Sequence, residues 1–185
     1  MAEPANLTDQ ELLGRMSGGD EEAFSTLYGR RQAAVYRYAL HMSGNRATAE
    51  EITQDVFVAL MRQPQLYDAA RGPLASYLTG MTRNMLRRRL ADDARLVALD
   101  GVPEPAGAPL DEVDRQREIE LVRRALISLP WRYREAVVLC ELQELSYDEA
   151  AKTAGCAIGT IRSRLHRARS LLEAKLRRSA PRYVS

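Results

Sequence analysis

Residues 145–172 run LSYDEAAKTAGCAIGTIRSRLHRARSLL. Ala151, Gly155 and Ile161 are spaced four and then six apart, with a short helical pattern before the glycine and a longer one after it. A helix-turn-helix needs this arrangement: a small residue where two helices touch, a glycine for the tight turn, and a branched apolar anchor on the second helix. Taking about 100° per residue from Ile158, the side chains of Ile161, Leu165, Ala168 and Leu172 fall within roughly 280–340°, one apolar stripe that must pack inward. Thr160, Ser163, His166, Arg167 and Ser170 fall between about 80° and 200°, and Arg162 near 40°. The outward face therefore carries donors suited to base edges and phosphates, although a charged solvent face would show the same pattern.

Working outward, helical signals continue through most of the chain. Thr8–Glu11, Thr48–Glu51 and Ser146–Glu149 each fit a capping box. Asp20, Pro73, Asp111 and Pro130 mark further starts, and Gly44, Pro64 and Gly155 mark stops. The spacing predicts helices over 8–17, 20–42, 48–62, 73–93, 112–128, 131–143, 146–154 and 158–178, with no alternating run of strand length against them. Gly101, Pro103, Pro105, Gly107 and Pro109 fall among small and acidic residues, so 95–113 is expected to be a linker. The expected fold is all-α: two small helical bundles, 1–94 and 114–185, joined by a flexible linker, the second containing the helix-turn-helix.

Composition narrows the function. At 185 residues and 45% hydrophobic content the chain can bury a core. No apolar run approaches the ~18 residues of a membrane span, and Met1–Gln10 lacks a basic-then-apolar pattern, so a cytoplasmic protein without membrane insertion is expected. Cys140 and Cys156 make no disulfide framework, and with only His41 and His166 beside them no metal or cofactor is expected. Cys140 lies among Val137, Val138, Leu139 and Leu142 and is expected to be a buried thiol. The acidic pairs Glu50/Glu51 and Asp92/Asp93 point about 100° apart on a helix, and no nucleophile motif or phosphate loop is present, so an enzyme is not expected. The net charge of +2 hides a pattern: basic and acidic residues number 5 and 9 over 1–60, 7 and 3 over 61–99, 4 and 7 over 100–130, and 11 and 6 over 131–185. Two basic zones suit two contacts with a polyanion, and solvated helix faces would also produce them.

In the 48–62 helix, with Ala49 at zero, Ile52, Val56, Ala59 and Leu60 cluster between about 280° and 20°. Phe57 near 80° and Val58 near 180° lie off that stripe, among Glu50, Gln54 and Asp55. A protein-binding surface and a second packed helix account for them equally. Farther on, Tyr67 and Tyr77 flank a loop of small residues, followed by Arg83, Asn84, Arg87, Arg88 and Arg89. Aromatics offer stacking for extruded bases, Asn pairs with adenine, and Arg tracks a backbone.

Taken together these segments resemble a bacterial sigma factor of the extracytoplasmic-function group. The resemblance is carried by Gly19–Phe24 with Leu27 and Tyr28, by Ala49–Phe57, by Tyr77 and Leu78 to Asn84, by Leu129 and Pro130, by Leu145–Ala151, and by Gly159–Leu165 with Arg167–Arg169. It implies a first domain that binds core RNA polymerase and the non-template strand of the minus-ten element, and a second that binds the minus-thirty-five element in the major groove. By position, Glu51, Gln54, Asp55 and Phe57 would face polymerase. Asn84, Tyr67, Tyr77, Arg83, Arg87 and Arg88 would serve the minus-ten element, and Thr160, Arg162, Ser163, His166 and Arg167 the upstream element of promoter DNA. An anti-sigma factor is the partner usual in such a family. Tyr77 departs from the usual Trp, Thr48 from a common Asp, and Gly80 from a longer residue, a softening of about 1 kcal/mol relative to Ala. The alternative class is a stand-alone helix-turn-helix regulator that binds duplex DNA as a dimer.

Overall fold

The structure, a computed structural model, describes residues 6–100 and 115–179. Eight α-helices and no strand occur among them. The chain divides into two compact units, Met1–Leu86 and Arg87–Ser185.

The first unit begins with α1 (Asp9–Ser17), which opens on the expected capping box. The Glu11 N–H donates to the Thr8 hydroxyl at 3.3 Å, and the Glu11 carboxylate accepts from the Thr8 N–H at 2.7 Å. Those bonds favour the ionised form and hold the Glu11 carboxyl below its ordinary range. α2 (Glu21–Ser43) is capped by Asp20, which accepts from the Ala23 N–H at 3.0 Å, and stops at Gly44 in the left-handed region. α3 (Arg46–Arg62) starts two residues earlier than its predicted capping box at Thr48. Asn45 is the cap instead, accepting from the Thr48 N–H at 3.0 Å, because Gly44 and Asn45 alone join the two helices. Two 3₁₀ turns, Pro64–Leu66 and Ala69–Arg71, lead into α4 (Leu74–Asp100). α1 and α3 both pack on α2, and Arg31 Nε donates to Asp9 at 2.6 Å across the first of these contacts. Leu12, Leu27, Tyr38, Met42, Leu60, Leu74, Leu78 and Leu86 are fully buried. Each such side chain contributes about 1.5–3 kcal/mol before its ordering entropy is counted.

α4 runs beyond the predicted 93, so residues 95–100 of the expected linker are helical. Residues 101–114, with the predicted start at Asp111, lie outside the described residues.

The second unit holds α5 (Arg115–Ile127), α6 (Trp131–Val137), α7 (Tyr147–Ala154) and α8 (Ile158–Ser179). α8 packs against α5, α6 and α7. Ile161, Leu165 and Ala168 are buried on it and Leu172 is half-buried, the predicted stripe. Arg134 ties the end of α5 to α6, its guanidinium donating to the Leu129 carbonyl at 3.0 Å and to that of Ile127. Burial pushes its pKa down from the ordinary arginine value. The beginning of α6 is α-helical, but Val138–Leu142 forms a wider π-helical turn, which ends with Glu144 at φ 54. The Gln143 and Leu145 N–H groups donate back to the Val138 and Leu139 carbonyls at 2.9 and 3.0 Å. Cys140, expected to be buried, lies in this turn and is half-exposed. Even so, partial burial raises its thiol pKa, aided by Glu141 and opposed by Arg169.

Candidate nucleic-acid interface

The turn between α7 and α8 is built by the residues the spacing singled out. Ser146 and Glu149 form the capping box: the Glu149 N–H donates to the Ser146 hydroxyl at 3.3 Å, and the carboxylate accepts from the Ser146 N–H at 2.9 Å. The Ser146 hydroxyl and backbone bonds keep the Glu149 carboxyl below its usual range. At the other end Gly155 takes φ 64, ψ 46, where a side chain is strained. Its N–H reaches the Lys152 carbonyl at 3.2 Å, and the Cys156 N–H reaches that of Ala151 at 3.0 Å, the doubly bonded close of a Schellman motif. Ala157 then accepts from the Thr160 and Ile161 N–H groups, and α8 begins.

Turning Ile161, Leu165 and Ala168 inward leaves Arg162, Ser163, His166 and Arg167 exposed and Thr160 half-buried. All five residues expected at the upstream element thus share the outward side of α8. The guanidinium carbon of Arg162 lies 5.4 Å from the Tyr147 ring centroid. Arg164 is half-buried and donates to Cys156 Sγ at 3.6 Å, and exposed Arg169 is ion-paired with Glu141, which raises its pKa. Ser163 donates to the Thr160 carbonyl at 3.0 Å, a back-bond that solvent or another acceptor can replace.

In the first unit, Tyr67 and Tyr77 face each other across the loop, ring centroids 5.5 Å apart at 56°. The Tyr67 hydroxyl donates to the Gly72 carbonyl at 3.1 Å and so pins one side of the loop to the other. Burial, then Asp9 and Asp68, raise the Tyr67 pKa and keep that hydroxyl a donor. Asn84 is exposed on α4 with Arg83 half-buried beside it; Arg87 and Arg88, exposed on the next turn of the same helix, are the first residues of the second unit. Of the expected minus-ten residues, Tyr67 therefore lies in the pinned loop, and Tyr77, Arg83, Asn84, Arg87 and Arg88 lie along α4.

The expected polymerase-facing set divides. Glu51, Gln54 and Asp55 are exposed on α3. Phe57 is not: it is 2% exposed and packs edge-on against Tyr28 of α2, centroids 4.7 Å apart at 64°. Of the two readings left open by its angle, a covering helix is the correct one. Thr53, between Phe57 and the apolar stripe, is also buried, its hydroxyl donating to the Ala49 carbonyl at 2.7 Å. The buried side of α3 is therefore wider than its aliphatic residues suggest. The sequence reading missed Met61, 50% exposed on α3 one turn after the exposed Val58, and Leu66, 59% exposed in the 3₁₀ turn that follows. For Met61 the i, i+3 spacing from Val58 was the available signal. Among the described residues no group of three His, Cys, Asp or Glu side chains is placed to hold a metal, and no helix is long and apolar enough to cross a membrane.

The family model for sigma-70 region 2 matches residues 27–96, and that for sigma-70 region 4 matches 119–172. The chain is 39% identical over 144 residues to the ECF RNA polymerase sigma factor SigE of Mycolicibacterium smegmatis, covering 75% of this chain and 55% of that one, so it spans about half the length of that relative. It is 30% identical to the ECF RNA polymerase sigma-E factor of Haemophilus influenzae, covering 92% of this chain and 96% of the relative. The corresponding protein of Escherichia coli K12 is 31% identical, with 92% and 95% covered. Among solved structures, the sigma factor RpoE in complex with the anti-sigma factor NepR from Bartonella quintana has a TM-score of 0.72 at 26% identity, covering 83% of this chain and 96% of that one. CnrH in complex with the cytosolic domain of CnrY has a TM-score of 0.70 at 25% identity, covering 93% and 99%.

Proposed function

Because the chain belongs to the extracytoplasmic-function RNA polymerase sigma factors of the sigma-70 family, we propose that it confers promoter recognition on core RNA polymerase. The observation that carries this reading is the outward side of α8. A buried Ile161–Leu165–Ala168 stripe behind a left-handed Gly155 turn leaves Arg162, Ser163, His166 and Arg167 together in solvent. Side chains of those types on an exposed helix read base edges in a major groove, each good bidentate pair adding about 1–3 kcal/mol of discrimination. This is the proposed upstream contact.

For the minus-ten element, Asn84 and the Tyr67/Tyr77 loop would hold an unstacked base, with Arg83, Arg87 and Arg88 along the strand. Stacking on aromatic rings is worth about 1–3 kcal/mol per base, enough to offset the few kcal/mol of extrusion. Glu51, Gln54 and Asp55, with Val58 and Met61 between and beyond them, would form the polymerase-binding side of α3. The chemistry is binding and deformation of DNA, without catalysis of its own, carried out in the cytoplasm where the polymerase works. One solved relative is in complex with the anti-sigma factor NepR and another, CnrH, with the cytosolic domain of CnrY, and an anti-sigma factor is accordingly a partner for this chain. The alternative of a stand-alone dimeric regulator is not favoured, since a region 2 match accompanies the DNA-reading half.

The test is transcription by core polymerase reconstituted with this chain. Asn84→Ala is expected to abolish initiation on a duplex promoter while leaving core binding intact. Unchanged transcription by that variant would refute base capture by Asn84, and failure of the wild-type chain to bind core would refute the function.

A further inference from the structure

Three arginines of α8, Arg162, Arg164 and Arg169, are held differently. Arg164 spends a donor on Cys156 Sγ, and Arg169 spends one on Glu141. Arg162 instead lies over the face of Tyr147, 5.4 Å from the centroid, and both residues are exposed. A ring attracts the cation through its quadrupole and takes none of its N–H groups. Arg162 is therefore held on one side with its five-donor fork intact for a guanine edge. Tyr147 is the first residue of α7, between Ser146 and Glu149 of the capping box, so the backbone that carries its ring is anchored.

We infer that Tyr147 is a positioning residue for the upstream contact, presetting the Arg162 guanidinium so that preference at the base pair Arg162 reads depends on a ring supplied by α7. This deepens, and rests on, the reading of α8 as the upstream-element helix. A guanidinium ordered before binding loses less freedom when it docks, and the advantage goes to the matched base alone. An attraction of this kind at an exposed site corresponds to about a two- to fivefold change in an equilibrium.

The experiment uses holoenzyme assembled from core polymerase and the full chain, selecting from a duplex library randomised through both promoter elements and scored as base preference at each position. Arg162→Ala marks the positions that Arg162 reads. Tyr147→Phe, which keeps the ring, is expected to preserve every preference. Tyr147→Ala, with Tyr147→Leu as a second ring-free variant should alanine unfold α7, is expected to lower preference about two- to fivefold at the Arg162 positions only, and to add nothing in an Arg162→Ala background. The inference is overturned if Arg162→Ala loses preference while the ring-free variants keep it, or if those variants weaken all sequences equally. It is also overturned if their loss falls at other positions. Should Arg162→Ala itself leave every preference intact, the assignment of Arg162 to the upstream element fails and the inference with it, and that variant distinguishes this failure from a failure of the Tyr147 role alone.

Discussion

Replacing Phe57 separates a core residue from a docking residue. Phe57 is 2% exposed and meets Tyr28 in an edge-on pair at 4.7 Å, and Tyr28 in turn lies 5.9 Å from Phe24. Phe57→Ala removes a buried ring and leaves a cavity between α2 and α3, a change that costs about 3–5 kcal/mol in such settings. Of this, roughly 0.5–1.5 kcal/mol belongs to the aromatic pair. Phe57→Leu restores most of the volume without the ring, so about 1 kcal/mol is expected for it. Against a typical domain stability of about 5–15 kcal/mol, the alanine variant keeps the first unit folded with a small margin. Urea unfolding followed by far-UV circular dichroism measures the loss. Fluorescence of Trp131, the single tryptophan, reports the second unit and is expected to keep its wild-type midpoint. A stability change below about 1 kcal/mol in Phe57→Ala, accompanied by loss of core-polymerase binding, would refute the reasoning and return Phe57 to the docking face.

Two further substitutions test the helix-turn-helix. An added Cβ at Gly155 meets nothing within 4 Å, so Gly155→Ala isolates the cost of a left-handed backbone, about 1–2 kcal/mol, and Gly155→Asn costs less; unfolding followed by Trp131 fluorescence measures both, and an unchanged Gly155→Ala midpoint would contradict the turn. Ser146→Ala removes the cap of α7 and is expected to cost about 1 kcal/mol at neutral pH. Because the Ser146 bonds depress the folded pKa of Glu149, their stabilisation is present above the ordinary glutamate range and fades as pH falls through the lower folded value. The stability gap between wild type and Ser146→Ala should therefore narrow on acidification, and a gap that widens would contradict that coupling.

Much of this architecture was legible because local chemistry and packing agree. The Thr8–Glu11 and Ser146–Glu149 boxes form as their spacing requires, and the α8 stripe is buried where its period places it. Phe57 was misplaced because Thr53 interrupts the aliphatic pattern, and a hydroxyl that bonds back to its own helix can be buried at little cost. The Thr48 box lost to Asn45 through the shortness of the α2–α3 connection, which propensity does not report. α4 continues to Asp100 because no Gly or Pro interrupts it after Gly80. The wide turn at Val138–Leu142 has no local marker either: no Gly or Pro lies in 131–143. Among the proposed contact residues, side-chain type and spacing gave the exposed arginines and Asn84, but the ring beneath Arg162 comes from a helix whose approach only the tertiary fold reveals.

Glu144 gives the α6–α7 joint a mechanical character. It holds φ 54 while the amides on either side close back onto the preceding turn, and two residues later Ser146 starts the next helix. A non-glycine residue in that conformation carries about 1–2 kcal/mol of strain, kept because both flanks are tied down. The joint is thus a latch rather than a hinge. The pitch at which α7 leaves it is written into the main chain, and lengthening or shortening this corner by one residue would swing the α7–α8 pair to a new angle even with every side chain on α8 unchanged.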